Sequence, residues 1–233
     1  MIEIVSATRM TEDEFWEKSA LGISLRRLAW DERIITWIAY ENSTGLPELF
    51  NARIEAKNDH DTLVFIHDDV WIDDIFFCNH VLDGCRAFDV IGVVGCAAPQ
   101  PNQPGWLFSE WMPADNTFKV RPDLQASGCI GQGSQPFGNV GFFGPSPAAC
   151  ELMDGLFLAM RKQALLDSGV RFDPQFGFHF YDLDFCRTAR AAGLRLGTWP
   201  VALTHQSDGA YGSKAWSDRL VAYLAKWSLP ATA

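Results

Sequence analysis

Four apolar residues, Leu63, Val64, Phe65 and Ile66, run directly into His67, Asp68 and Asp69. A short apolar run bounded by polar residues reads as a buried strand. In open α/β sheets the ligand crevice lies where the strands end. Two adjacent carboxylates repel each other unless one keeps its proton or a cation lies between them. A divalent metal carrying a phosphate meets that need. The plain alternative is a solvated acidic loop in which Asp68 caps something nearby.

The surrounding pattern supports an α/β fold. Residues 2–5 read as a strand, and Thr11 with Glu14 forms a capping box that opens a helix over 11–28. Residues 33–40 (RIITWIAY) read as a strand, 47–57 as a helix and 62–66 as a strand. This alternation predicts right-handed crossovers and a mainly parallel sheet flanked by helices. Further strands are expected over 90–94, 155–159 and 198–203, the last ending at His205, and helices over 161–168, 182–192 and 215–227. Residues 97–150 are rich in Pro, Gly, Gln, Asn and Ser interleaved with aromatics, a segment too long for an idle loop. No linker or repeat stands out, so residues 1–233 are expected to form one domain, closed by a C-terminal helix within 213–233.

Composition narrows the function. A formal net charge of −10 with no basic patch argues against nucleic-acid binding. None of the six Cys forms a C-x-x-C pair, which points away from zinc and redox motifs and toward reduced thiols. The first residues lack a leader-like pattern, and no apolar run approaches a membrane span. The expectation is a cytoplasmic chain without an integral membrane segment, with peripheral association left open.

Two further sites attract attention. Asp182 and Asp184 bracket Leu183 at a helix start, where the helix dipole favours acids. Asp184 is placed to pair with Arg187 one turn on. Asp182, at the mouth of the helix, suits a general base that takes a proton from an attacking hydroxyl. His205 follows a strand and enters a polar loop, THQSDG, which favours a metal-ligand role over packing.

Taken in order, GLPELFNARIE (45–55), VFIHDDVWID (64–73), DGLFLAMRK (154–162), FHFYDLDFCRTARAAG (178–193) and THQSDG (204–209) resemble motifs of the inverting nucleotide-sugar glycosyltransferases of the GT-A fold. The resemblance runs from about residue 2 to 212 and is similar to the family-2-like bacterial type that builds capsule and surface polysaccharide. It implies that Asp68 and Asp69 replace the DXD motif and hold Mn2+ or Mg2+ on the donor diphosphate. Asp69 is then the direct ligand, and Asp68 a second ligand or a ribose contact. His205 matches a further metal ligand, and Asp182 the catalytic base. Thr8, Arg9, Glu41 and Asn51 fall where the family meets the nucleotide, and Asp154 and Gly155 on the floor of the sugar pocket. Trp106, Trp111 and Tyr181 are candidates for an acceptor site or a lid, with core packing the alternative for both tryptophans. The implied substrates are a nucleotide-sugar donor, UDP-linked by preference, and a saccharide or lipid-linked acceptor.

The chain also departs from that pattern. Ser6, Ala7, Thr8 and Arg9 replace a loop with Pro and Asn, and Tyr40, Glu41, Asn42 and Ser43 replace an Asp-Gly-Ser loop that reads the base. Tyr181 stands where the family has Glu. Three rival readings follow. A catalytically degenerate nucleotide-sugar-binding protein would keep the fold. A sugar-phosphate nucleotidyltransferase would want a Gly-rich loop after the first strand, and none is present. A His67-Asp68 phosphohydrolase would need an all-helical fold.

Overall fold

The computed structural model describes residues 1–58, 60–100, 102–207 and 209–227. The chain begins β1 (Ile2–Ala7), α1 (Glu12–Lys18), α2 (Ala20–Arg27), β2 (Ile34–Ala39), α3 (Leu46–Glu55), β3 (Thr62–Ile66), β4 (Val70–Ile72), α4 (Phe77–Ala87). It continues through β5 (Val90–Gly92), β6 (Val94–Cys96), β7 (Glu110–Met112), β8 (Thr117–Lys119), β9 (Ala126–Gln132), β10 (Asn139–Gly144), β11 (Ala148–Ala149) and β12 (Leu152–Met153). It ends with β13 (Phe157–Arg161), α5 (Lys162–Ser168), α6 (Tyr181–Ala191), β14 (Leu196–Thr198), β15 (Leu203–His205) and α7 (Lys214–Trp227). The expected C-terminal helix is thus present as far as Trp227, and residues 228–233 lie outside the described part.

The elements build a mixed α/β architecture. A seven-stranded sheet has the order β11-β14-β5-β13-β3-β1-β2. Strands β1, β2 and β3 are parallel, and β13 enters antiparallel between β3 and β5. A second sheet, β12-β6-β9-β15-β4, has β10 paired to β9. In it β15 lies antiparallel to β4 with His205 opposite Val70, so the end of β15 meets the loop that leaves β3. Every residue of β3 is buried, as its unbroken apolar run requires. Phe65 of β3 stacks with Phe50 of α3 at 4.3 Å and meets Phe172, which stacks on Phe185 of α6 at 4.1 Å. Buried side chains of this kind contribute about 2–3 kcal/mol each, and this row locks α3 and α6 to the central strand.

Four local expectations need correction. The helix over 11–28 is two helices. The Ser19 hydroxyl donates to Phe15 O at 2.7 Å and accepts the Gly22 N–H at 2.8 Å, so it closes α1 and caps α2. The strand over 90–94 divides at Val93, with β5 in one sheet and β6 in the other. The strand leading to His205 is likewise broken. Pro200 lacks a ladder donor, β14 stops at Thr198, and β15 resumes in the second sheet. Asp184 does not pair with Arg187. It is fully buried and takes Lys226 Nζ at 2.8 Å and Trp227 Nε1 at 2.7 Å from the last turn of α7, while Arg187 donates to Tyr223 Oη.

Candidate active site

The polar turn 67–69 leaves the C-terminal end of β3, and three of its neighbours come from distant parts of the chain. Asp69 Oδ1 lies 3.3 Å from His205 Nε2 and 4.0 Å from His67 Nδ1. One nitrogen or oxygen from each of the three residues falls within 4.8 Å of the others. Ligands held at about 2.1 Å on one ion lie roughly 3.0–3.4 Å apart, so small adjustments would close the set. Asp69 Oδ1 is shut off from solvent, and the His205 ring 3.3 Å away does not complete a well-aimed hydrogen bond to it. A buried carboxylate oxygen in that condition is costly unless a cation meets it.

Tyr181 fixes the state of His67. Its hydroxyl donates to Gly155 O at 2.9 Å and stands 2.9 Å from His67 Nε2. A tyrosine hydroxyl has one proton, so His67 Nε2 must donate and its Nδ1 carries the lone pair. That lone pair faces Asp69. Burial lowers the His67 pKa, which keeps the ring neutral and able to act as a ligand. For Asp69, burial works upward, but the His205 imidazole beside it outweighs burial and holds the carboxyl at about 2. The donor set of two imidazoles and one carboxylate therefore fits a divalent metal. His67 was not anticipated as a ligand. Its signal is the i, i+2 spacing with Asp69, visible only once His205 is known to lie beside the turn.

These groups open on a cavity of about 430 Å³. Its polar wall carries His67, Asp68, Asp69, Asp154, Asp182 and His205, and no Lys or Arg lines it among the described residues. Burial raises the Asp68 carboxyl, with the Thr8 hydroxyl opposing. Asp182, at the start of α6, accepts the Gly155 N–H at 2.9 Å. Burial first, then the charge of Asp154, push its pKa up to about 7. Asp154 in turn accepts Trp106 Nε1 at 2.7 Å and the Leu156 N–H at 3.0 Å. Gly155 cannot bear a side chain, because a Cβ there would collide with Tyr181 Oη and sit 2.7 Å from Asp182 Cβ. The close packing of this turn against α6 sets the position of Asp182.

Of the other anticipated residues, Trp106 and Tyr181 line the cavity. Thr8 is buried behind Asp68. Arg9 and Glu41 are exposed and stand outside the cavity lining, as does Trp111, which packs edge-on against Trp216 at 5.1 Å. Asn51 is held elsewhere. Its amide donates to Phe172 O at 2.8 Å and accepts the Phe172 N–H at 2.9 Å. Residues not anticipated include Gln132, whose buried Oε1 has no partner among the described residues, and Tyr211 and Trp216, which close the cavity with Trp106 and Phe108.

No family model and no curated protein matches the chain. Solved structures resemble it at low identity. A mannosyltransferase from Pyrobaculum calidifontis in complex with GDP-Man and Mn2+ is 14% identical, with a TM-score of 0.48 covering 100% of this chain and 65% of that one. The catalytic domain of Drosophila β1,4-galactosyltransferase 7 is 10% identical, with a TM-score of 0.43 covering 84% and 63%. A 4-diphosphocytidyl-2C-methyl-D-erythritol synthase from Anaerococcus prevotii is 10% identical, with a TM-score of 0.40 covering 97% and 98%. The chain thus spans just under two thirds of the length of the first two. Likeness at this level leaves the function to be read from the site.

Proposed function

We propose that the chain is a metal-dependent glycosyltransferase that moves a sugar from a nucleoside-diphosphate sugar to an acceptor hydroxyl with inversion. The observation that carries this reading is the convergence of His67, Asp69 and His205 on the same cavity as Asp182. Asp69, His205 and His67 would hold the ion, with Asp68 beside them. A bound divalent cation would neutralise the charge that develops on the departing diphosphate. Two imidazoles weight the site toward Mn2+ over Mg2+, which prefers oxygen ligands.

Asp182 supplies the general base. Its pKa of about 7 places it where proton acceptance is efficient at neutral pH. The Gly155 N–H holds one carboxylate oxygen in place. Asp154, oriented by Trp106, marks the sugar-facing wall, and the aromatic side chains around it offer faces for a sugar ring. A UDP-linked donor and a saccharide or lipid-linked acceptor are the substrates that the motif order favours.

The test is a thermal-shift titration with UDP, GDP, CDP and dTDP, each with and without Mn2+, followed by transfer assays with sugars of the nucleotide that binds. A Mn2+-dependent shift with one nucleotide is expected. No shift with any of the four would sink the donor assignment. Unmeasurable transfer that Asp182→Asn leaves unchanged, with binding intact, would favour the degenerate binding protein.

A further inference from the structure

Apart from the cavity, the protein exposes a second unusual feature. Trp30, Ile75, Phe76 and Phe137 are 61%, 59%, 55% and 69% exposed. They come from three segments that the structure draws together. Ile72 N donates to Ser24 Oγ at 3.0 Å, which lays α2 along β4. Arg33 is joined to Asp31 and donates to Asn79 Oδ1 at 2.7 Å, which brings the turn after Trp30 to the first turn of α4, just past Ile75 and Phe76. Phe137 N donates to Asp73 Oδ1 at 3.1 Å, and the Arg27 guanidinium lies 5.9 Å from the Phe137 ring centre. Arg26 and Arg27 are exposed at the end of α2.

The charge pattern around this face runs against that of the whole chain. The protein carries −10, yet residues 125–150 contain no Asp, Glu, Lys, Arg or His. Three of the acids beside the patch are occupied, Asp31 by Arg33, Asp74 by His80, and Asp73 by Phe137 N and the Thr204 hydroxyl, which leaves Glu32 as an exposed acid next to Trp30. The neutral segment displays Phe137, and on β10 Val140 and Phe142, which are 72% and 74% exposed. Soluble proteins seldom show contiguous apolar surface of this kind without a partner for it. Exposed Trp and Phe beside Arg is the composition of a surface that sits in a lipid interface, rings at headgroup depth and guanidinium groups on phosphates.

We propose that this face docks the protein on an anionic lipid bilayer, with Trp30, Ile75, Phe76 and Phe137 entering the headgroup boundary and Arg26 and Arg27 meeting lipid phosphates. A second copy of the chain is the less fitting occupant. The edge strand β10 has a register break between Phe142 and Gly144, which interrupts the ladder that edge-to-edge pairing needs. The face is also close to the cavity. Leu21 N, at the start of α2, donates to Asp68 O at 3.1 Å, and Trp30 lies three residues past the end of that helix, within roughly 20 Å along the chain. Docking here would hold the cavity near the membrane surface. The inference stands without the transferase reading.

The experiment is co-sedimentation of the whole protein with vesicles of phosphatidylcholine, alone or with about a third phosphatidylglycerol, at low and high salt. The wild type should sediment with the anionic vesicles and be released by salt. Each arginine near such a surface is worth about fivefold in partition, so Arg26→Gln with Arg27→Gln should weaken binding roughly twentyfold. Trp30→Ser with Phe137→Ser should weaken it at least tenfold and reduce the blue shift of tryptophan fluorescence on vesicles. Both double variants should keep the wild-type melting temperature and its response to Mn2+. Failure of the wild type to sediment, or equal binding to neutral and anionic vesicles, overturns the proposal. So does a wild-type dimer in analytical ultracentrifugation that Phe137→Ser turns into a monomer. None of these readouts depends on sugar transfer, so either reading can fail alone.

Discussion

Replacing His67 by alanine takes one ligand atom from the cluster and leaves the aromatic row of the core in place. Suppose the site binds Mn2+ with a dissociation constant of about 10 µM and the ion is supplied at about 1 mM. Mass action then adds about 2.7 kcal/mol to the native state. An unfolding entropy of about 2.1 cal/mol/K per residue, taken over 233 residues, is about 0.5 kcal/mol/K. The melting temperature should therefore rise by about 5 °C when the ion is added. A variant that binds a hundredfold more weakly gains about 0.4 kcal/mol, or about 1 °C. Differential scanning fluorimetry of wild type, His67→Ala and Asp69→Ala, with and without Mn2+, reads the difference directly. A rise in His67→Ala equal to that of the wild type would refute the ligand argument, since the tautomer set by Tyr181 leaves Nδ1 no other purpose. An undiminished rise in Asp69→Ala would remove the metal site altogether.

Four further outcomes are expected. Asp182→Asn should spare donor binding and reduce transfer by about 10²-fold or more, and equal loss of both would mean a structural role. Asp182 keeps its proton up to about 7, so the free-base form grows as pH rises through that value and the metal-free protein loses stability between the ordinary carboxylate range and about 7; a kcat/KM profile that stays flat across neutral pH would contradict its role as base. Lys226→Met leaves the buried Asp184 with Trp227 as its side-chain donor among the described residues and should cost about 3 kcal/mol in urea unfolding, whereas a loss under about 0.5 kcal/mol would show that the pair contributes little. Asn51→Ala abandons both polar groups of the Phe172 backbone and should cost about 2 kcal/mol while leaving nucleotide affinity unchanged, and a specific fall in affinity would return Asn51 to the nucleotide site.

The elements that carry the candidate residues were legible because their signals are local. The apolar run of β3 ending in carboxylates, the acids at the mouth of α6 and a histidine at a strand end all show in short windows of sequence. The mixed α/β order was legible for the same reason. What escaped depends on distance. His67 meets Tyr181 and His205 across more than a hundred residues of chain. Asp184 ignores Arg187 because the end of α7 reaches its buried carboxylate, an event that helical spacing cannot anticipate. The break at Ser19 was hidden by good helix formers on both sides. The breaks at Val93 and Pro200 arise where one run of sequence serves two sheets, and periodicity within a run carries no record of which sheet receives each half.

The tie between α6 and α7 has a consequence for how the cavity wall is held together. Asp184 lies two residues beyond Asp182, and its carboxylate is where Lys226 and Trp227 end. If α7 peels away, a buried charge loses its partners and Trp216 leaves the cavity wall in the same event. The first turn of α6 and the last turns of α7 should then behave as one cooperative unit in native-state hydrogen exchange, with amides that share a single opening free energy below that of global unfolding. Helix α7 would thereby set how long Asp182 remains in place between openings.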